Sequence, residues 1–356
     1  MRTYWTKTTY DWLGRPKTVT QDLGVIEKGK PPASNVTTMA YAGAMTQTQQ
    51  TVNGETRSRY ERKNLSGKVA MVQGAMDSQV IYAYDPEGNL TDTSYTLLGG
   101  VTGTVTKLVH IDYDILGRKW QTIDGDLGTW TYGYNGFGEL VSQTDAKQQI
   151  TTMTYDELGR MTTKTDATGT AEWVYDIASG AGIGKLAAMV SASDSKLSAP
   201  CTVPNTTQTD GNRAGRWFTY DGFGNVQEVT ECTDGETFVT SYDYDQLGRQ
   251  KQVTYPEVND GSRFAVEYHY TSLGFLQYVA DGTDHKPYWV ATGSDESGQI
   301  SGEQTRNGVR TNLNRNPSTG WLLGSTTVAY ADNVNLIQDL AFSYDETGNL
   351  RSRALR

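Results

Sequence analysis

Cysteine and histidine are scarce in this chain of 356 residues, which has two cysteines and three histidines. The cysteines, Cys201 and Cys232, are too few for a disulfide scaffold or for a zinc site with four cysteine ligands. Whether they pair or are two unrelated thiols stays open, because the sequence does not give the distance between them. The histidines, His110, His269 and His285, leave little material for a histidine-based triad or a multi-histidine metal site.

Positive charge and long apolar runs are also lacking. The chain has 31 basic and 41 acidic residues, a net charge of -10 and a pI near 4.9. This balance argues against nucleic acid or an anionic membrane as the main partner. No apolar run approaches the roughly 20 residues that a transmembrane helix needs, and the N-terminus lacks the regions of a signal peptide. We therefore expect no nucleic-acid partner and no membrane-spanning segment, with any export signal outside this chain.

The residues that are abundant favour strands and turns. Hydrophobic residues make up only 36% of the chain, but it contains 22 Tyr, 8 Trp and 49 Thr, which are strand-forming residues. The 38 glycines, against 9 prolines, are enough for frequent turns. Composition therefore predicts an all-β protein.

A short motif repeats along the chain. The pattern Tyr-Asp-x-x-Gly occurs seven times, and Arg or Asn follows the glycine each time. Imperfect copies begin at Tyr134 and Tyr270, where Asn and Thr replace the Asp. A copy with a longer turn begins at Tyr175. The motif spacing is 20 or 21 residues between positions 113 and 175 and widens to 24 and 26 later. The residues that we assign to a structural repeat motif are Tyr10, Asp11, Gly14, Tyr84, Asp85, Gly88, Tyr113, Asp114, Gly117, Tyr134, Gly138, Tyr155, Asp156, Gly159, Tyr220, Asp221, Gly224, Tyr244, Asp245, Gly248, Tyr344, Asp345 and Gly348.

The motif has a physical interpretation as a hairpin turn. An Asp at the first turn position accepts hydrogen bonds from backbone N–H groups ahead of it, and Gly at the fourth adopts positive φ. This is the pattern of a type I turn closed by a G1 bulge. Apolar or aromatic residues alternate at period two before each tyrosine, as strands require. Two strands and two turns fill each period, which predicts a long antiparallel meander of roughly twenty strands. A sheet that wide curls, so we expect a curved or spiralling sheet, a partial shell.

The motif tyrosines have two interpretations. They are either exposed platforms that stack on sugar rings or a ladder of cross-strand aromatic contacts that holds neighbouring hairpins in register. The ring always immediately precedes the turn, which favours the structural interpretation.

Candidates for chemistry are weak. His110, Asp112 and Asp114 would share one face of a strand as metal ligands, but Asp114 already belongs to a turn. Acidic pairs such as Asp243 and Asp245 are explained better as turn residues than as the two catalytic carboxylates of a glycosidase. The glycine-rich segment 180–185 lacks the Ser or Thr that a phosphate-binding loop places after its lysine. We predict no catalytic residues, no metal and no cofactor, so the protein is not expected to be an enzyme.

The motif resembles the YD (tyrosine-aspartate) repeats of the rearrangement hotspot (Rhs) proteins, also found in insecticidal toxin complexes and teneurins. The segments 154–160 (TYDELGR) and 343–349 (SYDETGN) carry the resemblance, which extends from Tyr10 to Asn349. It implies a sheet that spirals into a hollow shell around a C-terminal effector. It also implies a secreted or cell-surface protein whose partners are the toxin or effector, or other repeat segments of the same protein.

The resemblance implies a non-enzymatic shell segment. Family members release their effector through a DPxGL-type segment, which has no counterpart here, since the segment 85–89 (DPEGN) is a repeat turn. We expect residues 1–356 to be a single repeat region, a fragment of a longer protein, with an irregular loop-like insert at 178–215. The alternative functions are a carbohydrate-binding or adhesive module that uses exposed Tyr and Trp rows and, less favoured, a hydrolase built on the acidic turns.

Overall fold

The computed structural model describes residues 6–22, 34–52, 55–74, 78–97, 105–192, 214–233, 235–258, 261–295, 298–329, 335–345 and 348–356. Within these ranges the chain forms 28 strands and no helix. The described residues accordingly include no helix long and apolar enough to span a membrane.

The strands fall into two compact units. Unit 1 comprises Met1–Gly128 and Thr292–Arg356, and unit 2 comprises Thr129–Ala291. Unit 1 holds a first run of strands, β1 (Thr6–Tyr10), β2 (Pro16–Asp22), β3 (Ser34–Ala42), β4 (Met45–Val52), β5 (Glu55–Lys63), β6 (Val69–Gln73), β7 (Ser78–Tyr84), β8 (Leu90–Leu97), β9 (Val105–Tyr113) and β10 (Lys119–Asp124).

Unit 2 holds the second run, apart from the first residue of β11 and the last three of β23. Its strands are β11 (Gly128–Tyr134), β12 (Leu140–Thr144), β13 (Ile150–Tyr155), β14 (Met161–Asp166), β15 (Gly169–Tyr175), β16 (Leu186–Val190), β17 (Gly215–Tyr220), β18 (Val226–Thr233), β19 (Glu236–Tyr244), β20 (Gln250–Glu257), β21 (Arg263–Tyr270), β22 (Leu276–Asp281) and β23 (Pro287–Ser294). A third run, in unit 1, comprises β24 (Ile300–Thr305), β25 (Val309–Arg315), β26 (Leu322–Ala329), β27 (Leu336–Tyr344) and β28 (Leu350–Leu355).

Within each run, every strand pairs antiparallel with the next strand in the chain. Strands β13 and β14 are typical: Thr152 lies opposite Thr165 and Thr154 opposite Thr163, and the register shifts at Tyr155. The same shift recurs at the motif tyrosine of β7, β17, β19, β21 and β27. The predicted all-β antiparallel meander is therefore confirmed.

The strands outnumber the roughly twenty predicted because some of them lack an apolar alternation. Strands β3, β4 and β5 lie between residues 34 and 63, where the sequence is rich in Thr and Gln. Their ladder is polar: Gln47 Nε2 donates to the Tyr60 hydroxyl at 2.9 Å, and Gln49 Nε2 donates to Ser58 Oγ at 3.1 Å. Cross-strand hydrogen bonds of this kind support a sheet without an apolar face.

Few side chains are fully buried, since most strand residues are intermediate in exposure. The main apolar cluster lies on β16, β17 and β18 and contains Ala188, Val190, Trp217 and Cys232, with Val174 packed against it. Strand β16 lies within the segment predicted as a loop-like insert, of which residues 193–213 are outside the described ranges. Cys201 is among those residues, so the two predicted alternatives, pairing with Cys232 or two unrelated thiols, lie outside the described ranges.

Candidate functional site: the repeated tyrosine–aspartate turns

Each motif turn is closed by its aspartate. In the turn between β13 and β14, one carboxylate oxygen of Asp156 accepts from the backbone N–H groups of Leu158 and Arg160, both at 2.9 Å. The other oxygen accepts from Arg160 Nε at 2.7 Å. The Gly159 N–H donates to the Asp156 carbonyl at 3.0 Å, and the Gly159 φ is 76°. This is the type I turn with a G1 bulge that the sequence predicts.

The same arrangement recurs with one of two partners. Where the residue after the glycine is Arg, its guanidinium pairs with the aspartate, and where it is Asn, its amide does so. The arginine form occurs at Asp11, Asp114, Asp156 and Asp245, and the asparagine form at Asp85, Asp221 and Asp345. Asn135 replaces the aspartate in one turn and accepts from Phe137 and Glu139 N–H at 3.0 Å each.

These contacts lower the pKa of the turn carboxylates. The backbone N–H of Arg160 is the main cause of the lowered pKa of Asp156, partial burial opposes it, and the Arg160 side chain lowers it further. At Asp245 the Arg249 side chain is the main cause of the lowered pKa. The charged carboxylate is therefore the form that closes the turn.

The motif tyrosines reach back to the preceding turn. The hydroxyls of the tyrosines named below donate to the backbone carbonyl of the residue two positions after that turn's glycine, an arrangement that we call the tyrosine clasp. The clasps are Tyr84 to Val69, Tyr113 to Leu90, Tyr155 to Leu140, Tyr175 to Met161, Tyr220 to Leu186, Tyr244 to Val226 and Tyr270 to Gln250, at 2.8 to 3.1 Å. Tyr41 makes the same contact with Pro16 at 2.7 Å, without an aspartate after it.

Four of the clasp tyrosines have a pKa that burial shifts. Burial raises the pKa of Tyr113, Tyr155, Tyr220 and Tyr244 above its ordinary value, so each retains the proton that it donates. Tyr10 and Tyr344 have other surroundings: Tyr10 is 61% exposed, and the Tyr344 ring packs against Trp321 at 5.2 Å between centroids.

A basic side chain from the preceding turn covers several clasp rings. The charged group lies 4.1 to 5.5 Å from the ring centroid, in the range of a cation–π contact. The pairs are Arg15 on Tyr41, Lys68 on Tyr84, Arg160 on Tyr175, Lys185 on Tyr220 and Arg249 on Tyr270. Sequence analysis missed this role, although the regular Arg after the glycine was its signal.

Several turns of the same geometry escaped the motif search, and the turn between β5 and β6 is an example. Between β5 and β6, the Asn64 side chain accepts from Lys68 N–H at 2.9 Å, and Gly67 has a φ of 77°. Asn replaces Asp and Lys63 replaces Tyr, so the Tyr-Asp-x-x-Gly pattern does not detect it.

The histidines form two small clusters with carboxylates. His110 contacts Asp92 at 2.8 Å and Asp112 at 3.2 Å, whereas Asp114 closes its own turn. Glu267 contacts both His269, at 3.3 Å, and His285, at 3.0 Å. Over the described ranges, no group of three such side chains has an arrangement that would hold a metal ion.

The other candidates take part in turns. Asp245 is bonded within its turn, and the Lys185 ammonium donates to the Gly224 carbonyl at 2.6 Å. Asp176 accepts from Gly184 N–H at 2.6 Å, which fixes the glycine-rich segment as an enlarged turn. These groups are engaged in hydrogen bonds that hold the turns.

A cavity of about 590 Å³ lies against β25, β26 and β27. Its lining combines polar side chains, Asn312, Asn314 and Asp339, with the aromatic rings of Trp321 and Tyr344. Amide and carboxylate groups beside aromatic rings form a lining suited to a polar ligand with one apolar face.

Comparisons with known proteins agree with this architecture. The RHS repeat family model matches residues 134–171 and 220–257, and no curated protein sequence matches the chain. The chain is similar to the Tc holotoxin pore of Photorhabdus luminescens, solved with a mutant TccC3, at 15% identity and a TM-score of 0.50 over 98% of this chain and 21% of that one.

A second similar structure is the TcdB2-TccC3-Cdc42 crystal structure, at 15% identity and a TM-score of 0.56 over 99% of this chain and 18% of that one. This chain therefore spans about a fifth of the length of those proteins, and the similarity establishes the fold. The recurring turns, the sequential meander and the matched segments together show that the chain carries RHS repeats within a sheet of YD-type turns.

Proposed function

We propose that this chain is a non-enzymatic structural segment of a shell that encloses or presents a toxin or effector in an Rhs-type secreted bacterial protein. The observation that carries the proposal is the tyrosine clasp, which recurs from Tyr41 to Tyr270 and ties a hairpin to the one before it. Tyr, Asp and Gly of the motif act as structural residues in this proposal, and none of them acts on a substrate.

Two further observations support a shell segment. Most strand side chains are neither buried nor fully exposed, as expected of a sheet that separates two environments with no second layer packed on it. The similar structures are toxin complexes, and this chain matches about a fifth of each of those longer chains. A toxin or effector of the same protein, or its other repeat segments, are the partners that we propose.

Small-angle scattering of the purified chain, extrapolated to zero concentration, tests the architecture. A curved single layer gives a distance distribution skewed towards long distances, whereas a solid globule gives a symmetric one. A symmetric distribution would exclude a shell segment. Enclosure is tested on the native full-length protein, in which the effector should resist a protease that digests the same effector after the repeat region is denatured.

A carbohydrate-binding role is the second candidate, and the cavity on β25–β27 favours it. Asn312 and Asn314 offer amide donors and acceptors, and Trp321 offers an aromatic ring, which is the combination that binds sugars. A glycan array probed with the native chain and with the N312A/N314A variant tests this role. Binding that the variant loses supports it, and an array without binding to the native chain rejects it.

A further inference from the structure

One edge of unit 2 displays a row of large apolar side chains. The six successive turns on this edge each carry one, and each is between 74% and 96% exposed. All six turns join an odd-numbered strand to the following even-numbered one, so they lie on the same edge of an antiparallel meander. We call this row the apolar rim, which consists of Phe137, Leu158, Ile183, Phe223, Leu247 and Leu273.

The turn itself does not require an apolar residue there. In all six turns the rim residue immediately precedes a glycine of positive φ. Ser66 and Glu87 occupy this position in turns of unit 1 whose glycines, Gly67 and Gly88, have φ values of 77° and 91°. A polar residue is therefore compatible with the same backbone geometry, so the turn does not dictate the apolar residue, which Leu13 and Leu116 of unit 1 also supply.

The opposite edge of unit 2 lacks such a row. Its described turns expose small or polar residues, such as Ala146, Ala167 and Thr283, and the one large apolar side chain in those described turns is Val258, at 56% exposure. The contrast between the two edges shows that apolar exposure is not a general property of turns in this chain. An exposed apolar row of this length marks an interaction surface.

We propose that the apolar rim is a self-association surface, on which a second copy of this chain docks rim to rim. Successive rim turns are two strands apart, a spacing of about 9.6 Å along the sheet. A surface with the same spacing is a second rim, whose side chains enter the gaps between turns of the first. Two identical rows related by a twofold axis form a self-complementary contact.

The size of the rim predicts a weak dimer. From Phe137 to Leu273 the rim crosses ten strand spacings, a length of about 48 Å. A strip about 10 Å wide over that length covers about 500 Å² on each partner, or about 1,000 Å² in total, which is at the lower limit for a biological interface. We therefore expect association in the micromolar range of dissociation constants.

Charge provides a second signature of this contact. The net charge of -10 makes two copies repel each other at low ionic strength. Salt screens this repulsion and leaves apolar burial largely intact. A rim-to-rim dimer therefore strengthens when the salt concentration rises, whereas an association built on ion pairs weakens.

Sedimentation velocity of the native chain over a concentration series tests the proposal. The test variant, L158E/F223E/L247E, places glutamate at three rim turns. Glu87 is a native glutamate at the same turn position. The matched control, A146E/A167E/T283E, adds the same charge to the opposite edge. Circular dichroism confirms that both variants retain the strand content of the native chain.

The native chain and the control should dimerise with similar dissociation constants, and the rim variant should bind at least about tenfold more weakly. A native chain that stays monomeric up to about 100 µM, at the weak end of specific association, would overturn the proposal, as would a rim variant that dimerises like the control. This proposal and the shell function are tested separately. Scattering extrapolated to zero concentration reports on the shape of the monomer, whereas sedimentation velocity reports on its association.

Discussion

At the scale of single residues, the glycine, the aspartate and the tyrosine of the motif make separate contributions to each turn. The glycine supplies positive φ, the aspartate satisfies two N–H groups, and the tyrosine satisfies a carbonyl of the preceding hairpin. Each residue has a different physical reason for its identity, so substitutions at the three positions have separable effects.

The turn between β11 and β12 contains two glycines whose substitution by alanine distinguishes backbone strain from steric clash. A Cβ at Gly138, whose φ is 87°, or at Gly136, whose φ is not positive, would meet nothing within 4 Å. Gly138→Ala should therefore destabilise the protein by about 1–2 kcal/mol through the left-handed backbone alone. Gly136→Ala should have no such cost, and equal melting temperatures for the two variants would refute the assignment.

The tyrosine clasp predicts the effect of removing one hydroxyl. Tyr155→Phe leaves the Leu140 carbonyl without its donor at 2.8 Å and should cost about 0.5–1.5 kcal/mol, measured by denaturant unfolding. The matched control is Tyr132→Phe on β11, whose hydroxyl makes no hydrogen bond to a described residue. A cost for Tyr155→Phe no larger than for Tyr132→Phe would show that the clasp contributes no stability.

The lowered pKa of the turn carboxylates predicts an acid-dependent stability. The pKa of Asp156 lies below its ordinary value of 3.8 in the folded state, so its contribution is complete above about pH 4 and is lost as the pH falls through the folded pKa. Asp156→Asn keeps an acceptor for the backbone, as Asn135 does, but loses the charge. The variant should melt below the native chain at pH 7, with the gap narrowing at pH 3.

Glu157 provides the control for this experiment. It lies in the same turn and makes no hydrogen bond or ion pair with a described residue, so Glu157→Gln should melt like the native chain at both pH values. A gap between the native chain and Asp156→Asn that stays constant from pH 7 to pH 3 would contradict the titration of Asp156.

At the scale of elements, neighbouring hairpins are coupled through the covered rings. Arg249 bonds Asp245 in its own turn and lies 4.5 Å from the ring of Tyr270 in the next hairpin. One side chain therefore links the closure of one turn to the position of the following strand pair.

A double-mutant cycle on Arg249 and Tyr270 measures this coupling. The variants R249A and Y270L, alone and together, should give a coupling free energy of about 0.5–1 kcal/mol, the range of an exposed cation–π contact. The parallel cycle of R249A with Y242L, which removes a ring on β19 without that contact, should give a coupling near zero. Additive effects of R249A and Y270L would show that the ring contact contributes nothing.

At the scale of the whole molecule, contacts within each run link strands that are adjacent in the chain. Stability in such an architecture is close to a sum of local terms and nearest-neighbour terms. Regions that bury more apolar surface should then open less often than regions that bury little.

Hydrogen exchange should therefore vary along the chain. Strands β16 and β17 contribute Ala188 and Trp217 to the main apolar cluster, whereas every residue of β28 is exposed. Backbone amides paired between β16 and β17 should exchange at least about tenfold more slowly than those paired between β27 and β28. Uniform protection across all strands would indicate a single cooperative unit instead.

The sequence alone determined the turns and the meander. Each turn depends on four or five contiguous residues, such as Asp156 to Arg160, whose local hydrogen bonds and φ preferences decide the backbone path. The alternation before each tyrosine then predicted strands, and the spacing predicted hairpins. Only the tertiary structure decided the clasps, because the Tyr155 hydroxyl meets a carbonyl 15 residues earlier, across the sheet. It also decided the polar ladder of β3–β5 and the apolar rim, since cross-strand pairing and solvent exposure depend on which strands become neighbours.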